Sequence, residues 1–588
     1  MTTNDEKPDL VALREKLLKR DGRDGRSYWR SLEELSDSEE FRKFLEREIP
    51  QHASALGDAL DRRYFLKIMG ASMALAGLTT ACNTDNVAHY DKIVPYVKSP
   101  EEIVPGKPLF FATAMTLGGI ATPLLVESHT GRPTKVEGNT EHPASLGASD
   151  IFAQASILSL YDPDRSQNVA YFSDAKPWDV FVNEFRSSLS KQLEKQGAGI
   201  RILTEAVSSP TLAAQIKDIQ ARYPKAVWHR YEPVGRDNVR AGARLAFGEY
   251  ADTIFDFSRA KVILTLDGDF TSPTFPGSLR YMREFSAGRQ VLNGKREMSR
   301  LYAVEPTPTG AGSIADHRLP VKAGRIEAFT RALAAKLNLL LNSVGVAVPT
   351  AGGAGGVEAE AYTEHDDFLT ALGNDLIKNR GASIVMTGEG QPPVVHALVH
   401  GINQALGNVG NTVHHIEPVE ASPVNQLESL KSLVRDIDEK QVDILMILGG
   451  NPVFTAPVDI NFKESLNKVA TSVHLSSYYD ETSAYCRWHI PESHYLEAWS
   501  DARVYDGTVS IVQPLIAPLY NSRSAHELLA LFADQFNASG YDIVRNYWKS
   551  QSAVFPDVKQ IAATSTAKNQ STKSQKSGDI VNSTNSTN

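Results

Sequence analysis

Cysteine is nearly missing from this 588-residue chain, which has two, Cys82 and Cys486. A standard iron–sulfur cluster draws on four cysteine thiolates, so the chain alone cannot build one. A disulfide framework is excluded for the same reason. If Cys82 is acylated or removed, Cys486 is left unpaired. Long hydrophobic runs are also scarce. The apolar run at 68–81 is shorter than the roughly 20 residues a spanning helix needs. An excess of positive charge is absent too: 61 Lys and Arg stand against 70 Asp and Glu, a net charge of −9. Nucleic-acid binders carry a concentrated basic surface, so no nucleic-acid partner is expected.

What is present is an ordinary globular composition, 42% hydrophobic and 22% charged, in a chain long enough for several domains. Its most informative stretch is Asp61-Arg62-Arg63-Tyr64-Phe65-Leu66-Lys67, followed by the small apolar run 68–78. Adjacent arginines, then Phe-Leu-Lys, then a short greasy segment read as a twin-arginine (Tat) export signal, with Arg62, Arg63, Phe65 and Leu66 as its core. The competing reading, a buried helix flanked by arginines, is weakened by the near absence of a polar face. The signal predicts a protein exported folded by the Tat translocase to the periplasmic face of the inner membrane. The run ends in Leu78-Thr79-Thr80-Ala81-Cys82, which resembles a lipoprotein acylation site. Thr79 stands where such sites prefer a bulky apolar residue, so lipidation at Cys82 is kept as an alternative to an unanchored chain.

The chain divides by composition. Residues 1–60 form a charged N-terminal extension with apolar residues at helical spacing around Tyr28-Trp29 and Phe41 to Leu45. Residues 61–82 hold the signal, and 83–198 read as a β-rich segment. Within it, 124–128 and 134–138 flank a turn at Gly131 and predict a hairpin. From 199 to 350, short apolar strands alternate with amphipathic helices, including one over 210–222 with Pro210 in its first turn. A Gly-rich linker covers 351–379, and a second α/β block covers 380–555. Alternation of this kind predicts parallel βαβ units. Residues 556–588 are Ser/Thr/Lys/Asn-rich and predict a disordered tail.

Two glycine turns fall at the carboxyl ends of predicted strands, where doubly wound sheets bind ligands. They are Gly388-Glu389-Gly390 and Gly449-Gly450-Asn451-Pro452. Glycine lets backbone amides approach a phosphate, and both turns are also compatible with plain βα connections. His489, His494 and Glu497 invite a metal reading. Pro491 breaks any helix that would align them, and zinc sites show tighter spacing. The expectation is therefore no metal site, and a polar patch at an interdomain cleft or partner surface.

Several segments together resemble the molybdopterin-dependent oxidoreductases. They are residues 126–150, Leu160-Tyr161-Asp162-Pro163-Asp164-Arg165, residues 316–324, Gly449 to Pro452, Glu481-Thr482-Ser483-Ala484 and Ile490-Pro491-Glu492. The likeness covers roughly 110–540. It implies a multidomain molybdopterin-oxidoreductase-like α/β fold, with two doubly wound parallel-sheet blocks and a β-rich N-terminal part. It also makes Gly388, Gly390, Gly449, Gly450, Asn451 and Pro452 vestigial pterin-nucleotide turns. The departures narrow it. Gly147-Ala148-Ser149-Asp150 stands where the family places its last cluster cysteine, and no cysteine lies between 83 and 485. Asp237 is a weak candidate for a molybdenum ligand. The family's C-terminal barrel is expected to be missing or cut short.

The extension with Tyr28-Trp29-Arg30-Ser31-Leu32 before an internal twin arginine resembles family members with an extended Tat signal, and with them the molybdopterin-oxidoreductase-like part of the large peripheral subunit of alternative complex III. The resemblance implies a mainly structural, membrane-associated subunit of a quinol-oxidising respiratory electron-transfer complex. Its implied partners are an iron–sulfur subunit, a polytopic quinone-binding subunit and cytochrome c subunits. No cofactor of its own is expected. An active oxidoreductase holding molybdopterin guanine dinucleotide and a non-redox assembly module remain the alternatives.

Overall fold

A computed structural model describes residues 104, 106–291, 297–343 and 364–551. The chain divides into two units after Pro100, and the described residues all belong to the second. The charged extension, the stretch read as an export signal (Arg62, Arg63, Phe65 and Leu66), Cys82, the 351–356 glycine run and the 556–588 tail lie outside the described residues. Among the described residues no helix is long and apolar enough to cross a membrane.

The first sheet has three antiparallel strands, Leu109–Leu117, Ile120–His129 and Arg132–Gly138. The expected hairpin is there. Thr130 (φ 53°) and Gly131 (φ 81°) both take left-handed conformations, as the tight two-residue turns that match strand twist require. The rest of the segment read as β-rich is largely helical, with helices at Ile151–Leu160 and Trp178–Leu193. The first is apolar all round and so shows no helical period. The second buries Phe181, Phe185 and Leu189 four residues apart.

Two sheets follow, the larger parallel except for two short antiparallel edge strands, and neither respects the blocks drawn from composition. The larger runs in the order Asp174–Ala175, Ala170–Tyr171, Trp488–Pro491, Thr471–Ser476, Ile444–Leu448, Ile200–Thr204, Val227–Arg230. Its centre is built from both blocks: Ile444 pairs in parallel with Ile200 on one side and Thr471 on the other. The smaller sheet sets His317–Pro320, Arg300–Glu305, Val262–Leu266 and Ser383–Thr387 side by side, all parallel. The 199–350 and 380–555 blocks are thus each split between two sheets. Central strands such as Ile444–Leu448 and Val262–Leu266 are buried throughout, so their apolar patterns are interchangeable and cannot announce which neighbour they will choose. The interval read as a linker contains the helix Asp366–Lys378, which buries Leu369, Leu372 and Leu376.

Local signals read well. Pro210 opens the helix Pro210–Arg222, and Ser209 caps it by accepting from the Leu212 N–H at 3.0 Å. The large sheet packs Phe181, Phe185, Trp228, Trp488 and Phe532 into one core.

One buried ion pair ties distant segments together. Arg165 donates to both Glu497 oxygens, at 2.6 and 3.2 Å, and to the Leu160 and Glu492 carbonyls. Glu497 also accepts from the His494 and Leu519 N–H groups at 2.8 and 2.9 Å. Both side chains are almost wholly buried, so removing one leaves an uncompensated charge in low dielectric. Glu497→Ala is expected to lose about 3–5 kcal/mol of stability in urea denaturation. The Arg165→Met/Glu497→Leu double variant is expected to lose less than either single change. Cys486 is fully buried, and burial pushes its thiol far up. It should stay unlabelled by a thiol reagent in the native chain and react on unfolding, as located by peptide mass spectrometry.

Candidate functional site

The carboxyl edge of the large sheet collects a short loop from each of its five parallel strands. Glu205 directly follows Ile200–Thr204, and Glu232 lies two residues past Val227–Arg230. Gly449-Gly450-Asn451 follows Ile444–Leu448, residues 477–480 follow Thr471–Ser476, and Glu492 follows Trp488–Pro491. Edges of this kind are where open parallel sheets bind ligands.

The diglycine turn is explained by what it touches. Gly449 (φ 72°) and Gly450 (φ 68°) both occupy the left-handed region. A Cβ on Gly449 would lie 2.8 Å from Glu205 Oε2, and one on Gly450 would lie 3.2 Å from Glu205 Cγ. Asn451 Oδ1 accepts from the Thr482 N–H and hydroxyl at 3.2 and 2.7 Å, while its Nδ2 donates to Glu481 at 2.7 Å. Pro452 opens the one-turn helix Pro452–Thr455. The four residues hold a tight turn against Glu205 and the helix Glu481–Tyr485.

A buried imidazole chain locks the turn from behind. His474 Nε2 donates to the Gly450 carbonyl at 2.9 Å, since a carbonyl can only accept. Burial lowers the His474 pKa against the pull of Asp480. With the ring neutral, its Nδ1, which also lies 3.4 Å from Asp480 Oδ1, accepts from Ser483 Oγ at 2.8 Å. That uses the hydroxyl hydrogen, so Ser483 accepts from His489 Nδ1 at 2.8 Å. Burial, with His474 nearby, brings His489 down to about 3. Its Nε2 is left as a buried lone pair without a partner. The chain ends on a carbonyl that cannot take up a proton, so it orients the turn and does not conduct.

Three carboxyl groups share the crevice facing the turn. Glu205 is exposed at the mouth of the crevice, and Glu232 and Glu492 are half-buried. The surrounding protein desolvates Glu205 and, with Glu492 close by, raises it to about 7. Glu232 also rises to about 7 through desolvation and the proximity of Glu205, although it accepts from the Ala206 N–H at 3.1 Å. Desolvation takes Glu492 to about 7 against the pull of Arg165.

Gly388 and Gly390 belong to the smaller sheet. A Cβ on Gly388 would sit 1.9 Å from the Asp267 carbonyl, so glycine is required there by another backbone, and nothing lies within 4 Å of one on Gly390. The cavity beside them, lined by Arg236, Glu389, His396 and His400 among others, measures about 60 Å³. Ligand pockets run to roughly 300–1,000 Å³. The two glycine turns therefore stand on different sheets.

A molybdopterin guanine dinucleotide would bring a diphosphate to this edge. The residues do not fit it. The space over Gly449 and Gly450 is filled by the Glu205 side chain, and the crevice offers three carboxyls where phosphate oxygens need donors. Among the described residues no group of three or more His, Cys, Asp or Glu side chains is placed to hold a metal ion. Asp237 accepts from the Gln426 N–H at 3.0 Å and from that of Leu427, at the start of the helix Gln426–Asp438. The polar patch expected of His489, His494 and Glu497 is not a surface. His489 and Glu497 are 1% and 4% exposed, and His494 bonds Ser159 at 3.1 Å, because each is consumed by an internal hydrogen-bond chain. Glu205 and Glu232 escaped the sequence reading. Their position, one and two residues beyond strands, was the available signal.

No protein-family model matches the chain. Its sequence is 24% identical over 515 residues, 80% of this chain and 71% of the relative, to a protein of Nitratidesulfovibrio vulgaris (strain Hildenborough) named menaquinone reductase, molybdopterin-binding-like subunit. Its fold matches acetylene hydratase from Pelobacter acetylenicus with a TM-score of 0.55 at 12% identity, covering 72% of this chain and 69% of that one. The architecture is the molybdopterin-oxidoreductase-like α/β fold expected from the sequence, with parallel sheets and a β-rich N-terminal region.

The raised carboxyls give a pH test. A glutamic acid held near 7 in the folded chain but near 4.3 when unfolded binds more protons folded, so its contribution to stability falls as pH rises from about 4 through 7. Glu205→Gln is expected to raise the thermal midpoint more at pH 8 than at pH 5, read by differential scanning calorimetry.

Proposed function

We propose that this chain is a mainly structural, molybdopterin-oxidoreductase-like subunit of a membrane-associated, quinone-linked electron-transfer complex, and that it binds neither a molybdenum cofactor nor an iron–sulfur cluster of its own. The observation that carries this reading is the carboxyl-lined crevice at the diglycine turn. When ionised, these carboxylates repel a diphosphate at the place where such a fold would hold one. The cysteine count supports it, since two thiols cannot ligate a standard cluster. The relative's name, a menaquinone reductase subunit described as molybdopterin-binding-like, supports the quinone-linked setting. Alternative complex III is the assembly the sequence resemblance favours. Electrons would then run through an iron–sulfur subunit, a polytopic quinone-binding subunit and cytochrome c subunits, with this chain as their scaffold. The twin arginine at Arg62-Arg63 supports a reading of Tat export to the periplasmic face, with Cys82 as a candidate lipid anchor.

The test is metal and pterin analysis of the complex purified from membranes. Mass spectrometry of metals is expected to find no molybdenum in proportion to this chain, and oxidative extraction of the denatured chain is expected to release no fluorescent pterin. Stoichiometric molybdenum or pterin would establish the active-enzyme reading instead.

A further inference from the structure

The same sheet edge carries a second kind of surface. Phe454 and Val458, in the segment that continues the diglycine turn, are 72% and 97% exposed. Tyr478 and Tyr479, in the loop after Thr471–Ser476, are also exposed. These loops are joined to one another and to the crevice. Asn451 bonds Thr482 and Glu481, the Val453 N–H donates to the Thr482 hydroxyl at 3.0 Å, and Glu205 packs on Gly449. The tyrosine hydroxyls are pinned, Tyr478 to Asp162 at 2.9 Å and Tyr479 to the Phe172 carbonyl at 2.7 Å. Their rings are thus held at the surface in fixed orientations, with little rotamer freedom left to lose on contact.

The arginines whose charge reaches this crevice are already paired: Arg240, which acts on Glu232, is bound to Glu420. Among the described residues the carboxylate oxygens of Glu205 and Glu492 have no hydrogen-bond or ion-pair partner. Arg165, which lies close, is committed to Glu497. Glu481 and Asp162 add negative charge at the rim. Rigid aromatics around an unneutralised pocket match the composition of protein–protein contact centres, where Tyr, Trp and Phe are enriched and charges that enter are paired.

We propose that this edge is a protein-docking face. Its occupant is a basic segment of another subunit, with a lysine or arginine side chain entering between Glu205, Glu232 and Glu492 and apolar neighbours seated on Phe454, Val458, Tyr478 and Tyr479. A metal ion does not suit the crevice, which lacks a ligand set. A second copy of this chain does not suit it either, because a two-fold contact would set carboxylates against carboxylates. An anionic membrane surface is repelled. The inference rests on the reading of the chain as a subunit of a complex, and it adds which face of the chain carries a partner.

The experiment compares the complex purified from membranes with the isolated full-length chain. Hydroxyl-radical labelling reads Phe454, Tyr478 and Tyr479, and a zero-length carbodiimide reads carboxylate–lysine pairs. Loss of labelling at all three aromatics in the complex, with Glu205, Glu232 or Glu492 joined to a lysine of another subunit, is the expected result. An arginine occupant would show as the same protection without the link, and as loss of the partner from the Glu205→Gln/Glu492→Gln/Phe454→Ser variant while its thermal midpoint is unchanged or higher. If partner subunits co-purify but the aromatics label as fast as in the isolated chain, the docking face is overturned and the functional reading stands. If the chain is recovered from its native membranes with no partner subunit, the functional reading fails and this inference with it.

Discussion

The buried pair of Arg165 and Glu497 is the interaction on which the site depends. It joins the turn after the helix Ile151–Leu160 to the loop after the strand Trp488–Pro491, segments more than three hundred residues apart in sequence. Every one of its strong contacts has a structural consequence. Donation to the Leu160 carbonyl closes the helix end, and a longer contact at 3.4 Å reaches the Glu492 carbonyl. Acceptance from the Leu519 N–H brings in a third segment. A buried ion pair is a poor source of net stability, since desolvation offsets the attraction, but it is a strict specifier of geometry once formed. Here it specifies the wall of the sheet edge and commits to Glu497 an arginine whose charge still reaches Glu492.

A turn motif can outlast the ligand it resembles a site for. Gly449, Gly450, Asn451 and Pro452 are each required by the protein's own packing: left-handed backbone at both glycines, the close approach of Glu205, hydrogen bonds to the helix Glu481–Tyr485, and a proline start to the next helix. The His474–Ser483–His489 chain adds a fixed hydrogen-bond direction behind the turn. A motif kept by such constraints carries little information about what lies in front of it. That information resides in the side chains facing the motif, and here they are carboxylates.

Local features were legible in the chain. The hairpin around Gly131 and the helix opened by Pro210 follow from turn chemistry, proline placement and apolar period. The helix Ile151–Leu160 was not, because it is apolar on every face and has no period to detect. The division into sequential blocks failed for a related reason. Strands buried on both faces look alike, so nothing in Ile444–Leu448 says that it will lie between Ile200–Thr204 and Thr471–Ser476. The histidines of 489–497 were misplaced on a surface because polarity was visible and their internal partners, Ser483 and Ser159, were not.

The sequence by itself determined the class of fold and the exclusion of a standard cluster, because these rest on residue identity, short-range pattern and count. Tertiary structure decided the chemistry of the sheet edge. Glu205, Glu232 and Glu492 are scattered along the chain and unremarkable one by one, and only the parallel pairing of their strands brings three carboxyls to one edge, where desolvation raises all three and carboxylate neighbours add to the rise of Glu205 and Glu232.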